Sequence, residues 1–318
     1  MASAQSADRP QFALPLDCAA HECFLQNMVD RITGRGVQDG WCGRASYDGH
    51  KGTDIRVRDM VTMRAGVPVL AMAGGTVARL RDGEPDTLTR SAEEARRLAT
   101  TNRACGNGVV VDHGARWGGG WTTQFCHLAK GSVRVRRGET VEAGTPIGAM
   151  GVSGLSAFPH IHVTVRRAGA VIDPMTGRDA AAPCLTSRSL DASLWNAEAR
   201  EVLGAGPERI VAAGFAAAPV ADTAVIDGNV ARPRVGAPLV AYAHLANMAK
   251  GDRIRITLNG PAGFDVEQLT KPLDAPKATF TAYAGKRGAP AGDYRASVIW
   301  LRGNTIIAQR DDLRLSLK

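Results

Sequence analysis

The chain of 318 residues has no run of about 18 apolar residues, the length a membrane-spanning helix needs, so no such helix is expected. Aromatic residues make up only 5% of the chain and do not alternate with basic ones, which argues against nucleic-acid binding despite a net charge of +8. Two common zinc-binding patterns, Cys-x-x-Cys and His-Glu-x-x-His, are also missing. The charge favours an anionic partner, such as lipid head groups or the acidic bacterial wall, without choosing between them.

Six cysteines indicate an oxidising compartment, and the absence of Cys-x-x-Cys disfavours a structural zinc site built from them. One pair would clip a small loop, one would join two strands of a hairpin centred near residues 113–117, and one follows by elimination. The predicted disulfides are Cys18–Cys23, Cys105–Cys126 and Cys42–Cys184.

The first residues lack the charged start and apolar run of a signal peptide. Residues 2–4, Ala-Ser-Ala, look like the tail of a cleaved signal. We therefore expect a trimmed mature form of a periplasmic or secreted protein.

Four residues predict a metal site. His160 and His162 alternate along a predicted strand, so they project from one face, within reach of one ion. His50 and Asp54 offer a further imidazole and a carboxylate. Two imidazoles and one carboxylate, with a fourth position left for water, are typical of catalytic rather than structural zinc. The sequence therefore indicates a candidate hydrolase.

Two further segments lie between these pairs: residues 107–114, which end in Asp-His-Gly, and residues 124–128, Gln-Phe-Cys-His-Leu. In this order, over roughly residues 47–174, the chain resembles the lysostaphin-type zinc endopeptidases of peptidoglycan. Those enzymes show His-x-x-x-Asp, an Asp-His-Gly strand end, Tyr-x-His-Leu and Pro-His-x-His. The resemblance implies a mainly β fold, the antiparallel duplicated hybrid motif, and one Zn²⁺ per chain.

The resemblance also implies a role for each residue. His50, Asp54 and His162 would bind the metal, while His127 and His160 would be catalytic, handling protons and the oxyanion. Imidazoles suit that role because they titrate close to the working pH.

Three residues depart from the family pattern. Phe125 replaces a tyrosine, Phe158 stands where glycine is common, and Thr164 occupies a position where glutamate is frequent. None of these removes a ligand or a catalytic histidine, so they bear on substrate preference.

Short glycine-bounded segments predict strands at residues 67–71 and 75–80, and residues 138–147 repeat their pattern. Such paired hairpins fit the duplicated motif. Lipoyl and biotinyl carrier domains share them, but those domains need a lysine on a tight turn, which residues 149–152 lack.

Helices are predicted at three places. A capping box at residues 91–94 starts a helix over residues 92–100, interpreted as surface decoration in preference to a border of the substrate groove. A short helix is expected around residues 24–32, and a connecting helix over residues 190–203.

The length of the chain favours two domains. Residues 1–190 would form the metallopeptidase domain with its lead-in, 191–206 a linker helix, and 207–318 an immunoglobulin-like β-sandwich. Alternating apolar residues at 254–258 and 294–300 predict sandwich strands, and Tyr294 resembles a tyrosine corner.

The remaining candidates receive structural interpretations. His113 is expected to stabilise a turn, and His21 and His244 to lie on the surface or in packing. Arg166 and Arg167 are read as a solvated strand end in preference to a contact with a substrate carboxylate.

The candidate metal site and the resemblance together predict a zinc endopeptidase that hydrolyses peptide cross-links of bacterial peptidoglycan, and the resemblance implies the DD-endopeptidase type. Its partners would be peptidoglycan stem peptides, with a wall or protein ligand for the C-terminal domain. Two alternatives remain: a catalytically inactive regulator of other wall hydrolases, and a wall-binding module whose sandwich is the functional part.

Overall fold

A computed structural model describes residues 9–318, so the predicted signal remnant at residues 2–4 lies outside the described residues. The described residues divide into two compact units, of which the first ends at Gly206 and the second is Pro207–Lys318. None of the helices in the described part is long and apolar enough to cross a membrane.

The first unit is built on antiparallel strands, and three short helices, α1 (Met60–Arg64), α2 (Ala92–Thr100) and α3 (Ala197–Gly204), accompany them. Its strands within residues 9–206 are β1 (Cys23–Asn27), β2 (Thr53–Val57), β3 (Pro68–Leu70), β4 (Gly75–Arg81), β5 (Asn107–Asp112), β6 (Trp121–Leu128), β7 (Thr140–Val141), β8 (Pro146–Ala149), β9 (His160–Arg167), β10 (Ala170–Asp173) and β11 (Arg178–Asp179). The main sheet has the order β1-β2-β9-β6-β5-β4-β7, with β10 beside β9 and β11 beside β10.

Strand alternation gives this sheet one apolar face and one face that carries chemistry. Val109, Val111, Phe125, Val163 and Val165 are buried on the first face. The residues between them, on the second face, are mostly polar, because successive side chains of a strand point to opposite sides. The predicted mainly β, antiparallel fold is confirmed.

The repeated hairpin pattern corresponds to a reciprocal pairing. Strand β3 pairs with β8, and strand β4 pairs with β7, both antiparallel. Each half of the repeat therefore supplies one strand to the other half, as expected for a duplicated motif.

All three predicted disulfides are present. Cys105 lies just before β5 and Cys126 within β6, and these strands form the predicted hairpin. Cys42–Cys184 joins segments 142 residues apart in the first unit.

The helix expected around residues 24–32 is wrong. Residues 23–27 form β1, whose five residues are all buried and which pairs with β2. Pairing with a distant strand outweighs the local preference of a short segment.

The connecting helix, predicted from residue 190, starts only at Ala197. Asn196 caps it by accepting a hydrogen bond from Ala199 N, and the preceding Leu194 N donates to Pro174 O instead of joining the helix.

The predicted helix α2 has the expected bounds, and Ser91 accepts from Glu94 N at its start. Only Leu98 of this helix is buried. The segment before the helix is attached to neighbouring loops: Asp86 accepts from the amides of Lys130 and Val152, and Thr89 N donates to Ser156 O.

The second unit contains two antiparallel sheets. Its elements are β12 (Arg209–Ala216), α4 (Asp222–Asp227), β13 (Leu239–Met248), β14 (Arg253–Asn259), β15 (Val266–Leu269), β16 (Lys277–Lys286), β17 (Gly292–Arg302) and β18 (Thr305–Leu317). The sheet orders are β12-β13-β16 and β15-β14-β17-β18, and residues of both sheets form one apolar core.

The strand predictions for this unit hold at the residue level. Ile254, Ile256 and Leu258 are buried on β14, and Val298 and Trp300 on β17. The hydroxyl of Tyr294 donates to Pro290 O at 2.6 Å, the backward hydrogen bond that a tyrosine corner makes.

Candidate metal centre and active site

The two predicted ligand pairs meet at the centre of the main sheet. Asp54 on β2 lies directly opposite His162 on β9 in the antiparallel register. His50 precedes β2 in a turn, where its amide donates to Tyr47 O. The sheet thus brings together residues more than a hundred positions apart in sequence.

Three side-chain atoms converge at this point. Nδ1 of His162 lies 2.9 Å from Oδ1 of Asp54, Nε2 of His50 lies 3.1 Å from the same oxygen, and the two nitrogens are 3.0 Å apart. All three residues are largely buried, and the side chain of His162 is the most exposed at 13%.

A second layer of contacts fixes each of these residues. His50 Nδ1 donates to Met28 O at 2.7 Å, and Asn27 Nδ2 donates to Asp54 Oδ2 at 2.8 Å. His162 Nε2 lies 3.0 Å from Thr164 Oγ1. Such outer contacts orient ligand residues and set the imidazole tautomer.

The arrangement suits a divalent cation. Because Nδ1–H of His50 donates to a carbonyl, the lone pair of this ring is on Nε2. When Nε2–H of His162 donates to Thr164, the lone pair of His162 is on Nδ1. Facing imidazoles also hold the pKa of Asp54 well below its ordinary value, although burial acts the other way. Tetrahedral zinc ligands at 2.0–2.1 Å would lie about 3.3 Å apart, close to the spacing of these atoms.

Gly52 is required between His50 and Asp54. A Cβ atom at this position would lie 2.5 Å from Val163 O and 2.6 Å from the ring of His162. A larger residue would therefore displace His162, which explains why glycine lies between His50 and Asp54.

His127 and His160 lie beside this cluster, with their ring centroids 4.6 Å apart. Nδ1 of His127 donates to Ser153 O at 2.7 Å, and Nδ1 of His160 donates to Phe158 O at 2.8 Å. In both rings the lone pair is therefore on Nε2, and Nε2 of His160 lies 3.6 Å from Asp54 Oδ1. The pair can accept and release protons next to the metal site.

A backbone distortion places His127. It has a φ of 66°, and the pairing of β5 with β6 shifts register between Asn107 and Val109. Simple alternation would put His127 on the face opposite to Cys126, but a bulge can redirect a side chain. A positive φ in a residue with a side chain costs energy and is common at functional sites.

Both imidazoles are neutral near neutral pH. Burial lowers the pKa of His127 well below its ordinary value, and the neighbouring His160 and His162 lower it further. Burial also lowers the pKa of His160, which the charge of Asp54 only partly offsets. Each ring therefore offers an unprotonated Nε2.

The other histidines lie outside this cluster. Nδ1 of His113 donates to Gly74 O, and its Nε2 accepts from Thr123 Oγ1, in keeping with its predicted structural role. His244 is buried inside the second unit, in keeping with the expected packing role, and its Nδ1 lies 2.9 Å from Thr281 Oγ1.

Several site residues were not predicted. Asn27, Met28 O and Ser153 O reach the site through pairings that only the folded chain creates. Thr164 could have been found, because it follows His162 on the same face of β9.

Comparison with known proteins agrees with the motifs. Residues 48–174 match the model of Peptidase family M23. An "uncharacterized metalloprotease" of Haemophilus influenzae is 29% identical over 127 residues, which are 40% of this chain and 20% of that protein. The chain therefore spans about a fifth of the length of this curated relative.

Two solved structures show a more distant similarity. The catalytic domain of lysostaphin from Staphylococcus simulans matches 49% of this chain and 91% of its own, at 19% identity and a TM-score of 0.31. A chain of the SpoIIQ–SpoIIIAH pore-forming complex matches 54% and 92%, at 18% identity and a TM-score of 0.36. The family match, together with the motifs in their order, supports a lysostaphin-type metallopeptidase domain of family M23 over residues 48–174.

Proposed function

We propose that this protein is a zinc-dependent endopeptidase that hydrolyses amide bonds in the peptide cross-links of bacterial peptidoglycan. The observation that carries the proposal is the convergence of His50 Nε2, Asp54 Oδ1 and His162 Nδ1 within about 3 Å of one another. These atoms would hold one Zn²⁺. When bound, the ion would polarise the amide carbonyl and make water a nucleophile near neutral pH.

The chain's own residues would move the protons. Nε2 of His127 or His160 would accept a proton from the attacking water and later give it to the leaving amine. The carbonyls of Ser153 and Phe158 hold Nδ1–H of the two rings, so Nε2 stays available for this transfer. The protonated ring would also stabilise the negative oxygen formed on attack.

The surroundings support an extracytoplasmic role on an acidic polymer. Three disulfides are typical of an oxidising compartment, and a net charge of +8 favours the anionic wall. The second unit would bind wall or a partner protein. An inactive regulator is disfavoured because all five predicted site residues are present and lie together.

Digestion of purified cross-linked muropeptides, with products identified by mass, tests the proposal. Wild type should convert dimers to monomers by cleavage of the cross-link amide. His162→Ala should be inactive, while His113→Gln, a change at a histidine outside the cluster, should retain the wild-type products if the chain stays folded. Equal products from wild type and His162→Ala would exclude the proposed site.

A further inference from the structure

The sheet face that carries the metal site continues into a positively charged surface. Beyond His162, the same face of β9 carries Thr164 and Arg166. Thr164 is opposite Gln124 on β6, and Gln124 is opposite Val110 on β5. Val110 is in turn opposite Arg79 on β4. One row across four strands therefore consists of Thr164, Gln124, Val110 and Arg79.

Three guanidinium groups border this part of the face. Arg81 lies opposite Gly108 and is two residues from Arg79 along β4, on the same face. Arg79 is exposed, while Arg81 and Arg166 are half-buried. Arg79, Arg81 and Arg166 are named the arginine face below.

A cavity of about 330 Å³ lies on this surface. Its lining includes Arg79, Arg81, Cys105, Gly108 and Gln124. Cys105 is bonded to Cys126, which lies opposite His162 in the register, so the cavity and the metal site share this disulfide.

Gln124, which lines the cavity, also holds Arg166 in place. Oε1 of Gln124 accepts from Arg166 Nη1 at 3.0 Å. Nε2 of Gln124 lies 3.4 Å from the sulfur of Cys105 and 3.5 Å from that of Cys126. The amide thus rests on the disulfide and orients the guanidinium.

The arginine face lacks a counter-ion of its own. Among residues 9–318, no carboxylate lies within 4.0 Å of any of the three guanidinium groups. Burial, and then the like charge of Arg79, lowers the pKa of Arg166. Clustered guanidinium groups without a carboxylate partner favour an anionic ligand, and their planar donors match a carboxylate.

We propose that the arginine face binds a free carboxylate of the peptide substrate and so selects acidic peptides for cleavage. The proposal rests on the proposed function, since it places this carboxylate relative to the bond cut at His162. A strand rises about 3.3 Å per residue, so Arg166 lies about 13 Å along β9 from His162. An extended substrate would therefore carry its carboxylate about three to four residues from the scissile amide.

Matched peptides test the inference with the full zinc-loaded protein. One cross-linked stem peptide keeps all carboxylates, a second has only its C-terminal α-carboxylate converted to amide, and a third only its side-chain carboxylates. Wild type should lose about 10- to 100-fold in kcat/KM for the one amidated form whose carboxylate the arginine face binds. That form identifies the source of the carboxylate.

Variants locate the effect. The double variant Arg79→Gln/Arg166→Gln should lower kcat/KM for the unmodified peptide by about 10- to 100-fold. Its kcat/KM for the sensitive amidated peptide should stay close to the wild-type value for that peptide. Arg167→Gln is the matched control, because Arg167 follows on the opposite face, over the ring of Trp121. It removes the same type of charge and should leave the preference intact. Arg79→Gln alone, at an exposed residue, serves if the double variant does not fold.

The outcomes separate this inference from the proposed function. Cleavage of all three peptides at equal rates by wild type would contradict carboxylate binding by the arginine face and leave the proposed endopeptidase activity intact. An equal loss of kcat/KM for the unmodified peptide in Arg167→Gln and in the double variant would also contradict it. If wild type cleaves none of the peptides, the proposed function fails. Calorimetric binding of the same three peptides then decides the inference, which requires weaker binding of one amidated form.

Discussion

Asp54 and His162 face each other across two antiparallel strands, with Oδ1 of the carboxylate 2.9 Å from Nδ1 of the imidazole. His50 Nε2 contacts both atoms. A sheet register fixes this geometry more firmly than loops could, because both strands lie inside the main sheet. The metal site therefore depends on correct pairing of β2 with β9.

The outer contacts of the ligands should matter nearly as much as the ligands. Asn27→Leu and Thr164→Val each remove one hydrogen bond to a ligand residue. We expect a loss of about 10- to 100-fold in zinc affinity or activity for each variant. Competition with a chelator measures the affinity. Thr122→Val, on the same face of β6, is the control, and a loss there of the same size would contradict this account.

Activity should decline on the acid side of the pH–activity profile with a midpoint below the ordinary histidine pKa of about 6.5. Burial first, and then nearby imidazoles, lowers the pKa of His127, and burial lowers that of His160. Both rings thus stay unprotonated, and active as bases, until the pH drops below that value. A bound cation would lower both pKa values further. Measurement of kcat/KM from pH 4 to 9 tests this assignment. A midpoint above pH 7 for the loss of activity in acid would contradict it.

The Cys105–Cys126 disulfide should stabilise the fold and the active site together. It spans 21 residues, and closing a loop of this size contributes about 3 kcal/mol to the free energy of unfolding. Cys105 O also accepts from His127 N. The variant Cys105→Ala/Cys126→Ala should unfold at a lower temperature and lose activity before it unfolds. Thermal unfolding followed by circular dichroism, with activity on the same samples, gives both readouts.

The matched control removes another disulfide. Cys18–Cys23 spans only five residues, so its removal should cost less stability and leave activity unchanged. Equal effects of the two double variants would show that the hairpin disulfide has no special relation to the site.

Acid should destabilise the second unit through Asp222. Burial alone would raise the pKa of this carboxyl, but hydrogen bonds from His244 and Thr281 hold it below its ordinary value. A lowered folded-state pKa stabilises the fold above the unfolded-state pKa of about 3.9, and this stability disappears as the pH falls through the lower folded value. Asp222→Asn should flatten the dependence of stability on pH below 4, measured by urea unfolding. An unchanged slope would argue against this role.

Local signals predicted local structure well. The bounds of α2 follow from a capping box whose hydrogen bonds lie within one turn. His160 and His162 share a face because alternation needs no distant partner. By contrast, residues 23–27 form a strand only because β2 lies beside them, which no local pattern reveals.

The site was predictable in its members and less so in its geometry. The family resemblance pointed to His127, but its direction depends on a register shift and a φ of 66°. Asn27 belongs to a segment predicted as helix, so its contact with Asp54 could not be foreseen. Arg79 and Arg166 lie on strands that only the sheet order brings into one sheet face.

Diffraction from crystals of the full chain at the zinc absorption edge tests the central claim most directly. The account predicts one anomalous peak per chain, about 2.0–2.1 Å from His50 Nε2, Asp54 Oδ1 and His162 Nδ1, with no fourth protein ligand. A zinc-supplemented crystal without this peak, or with a fourth protein group closing the coordination sphere, would contradict it.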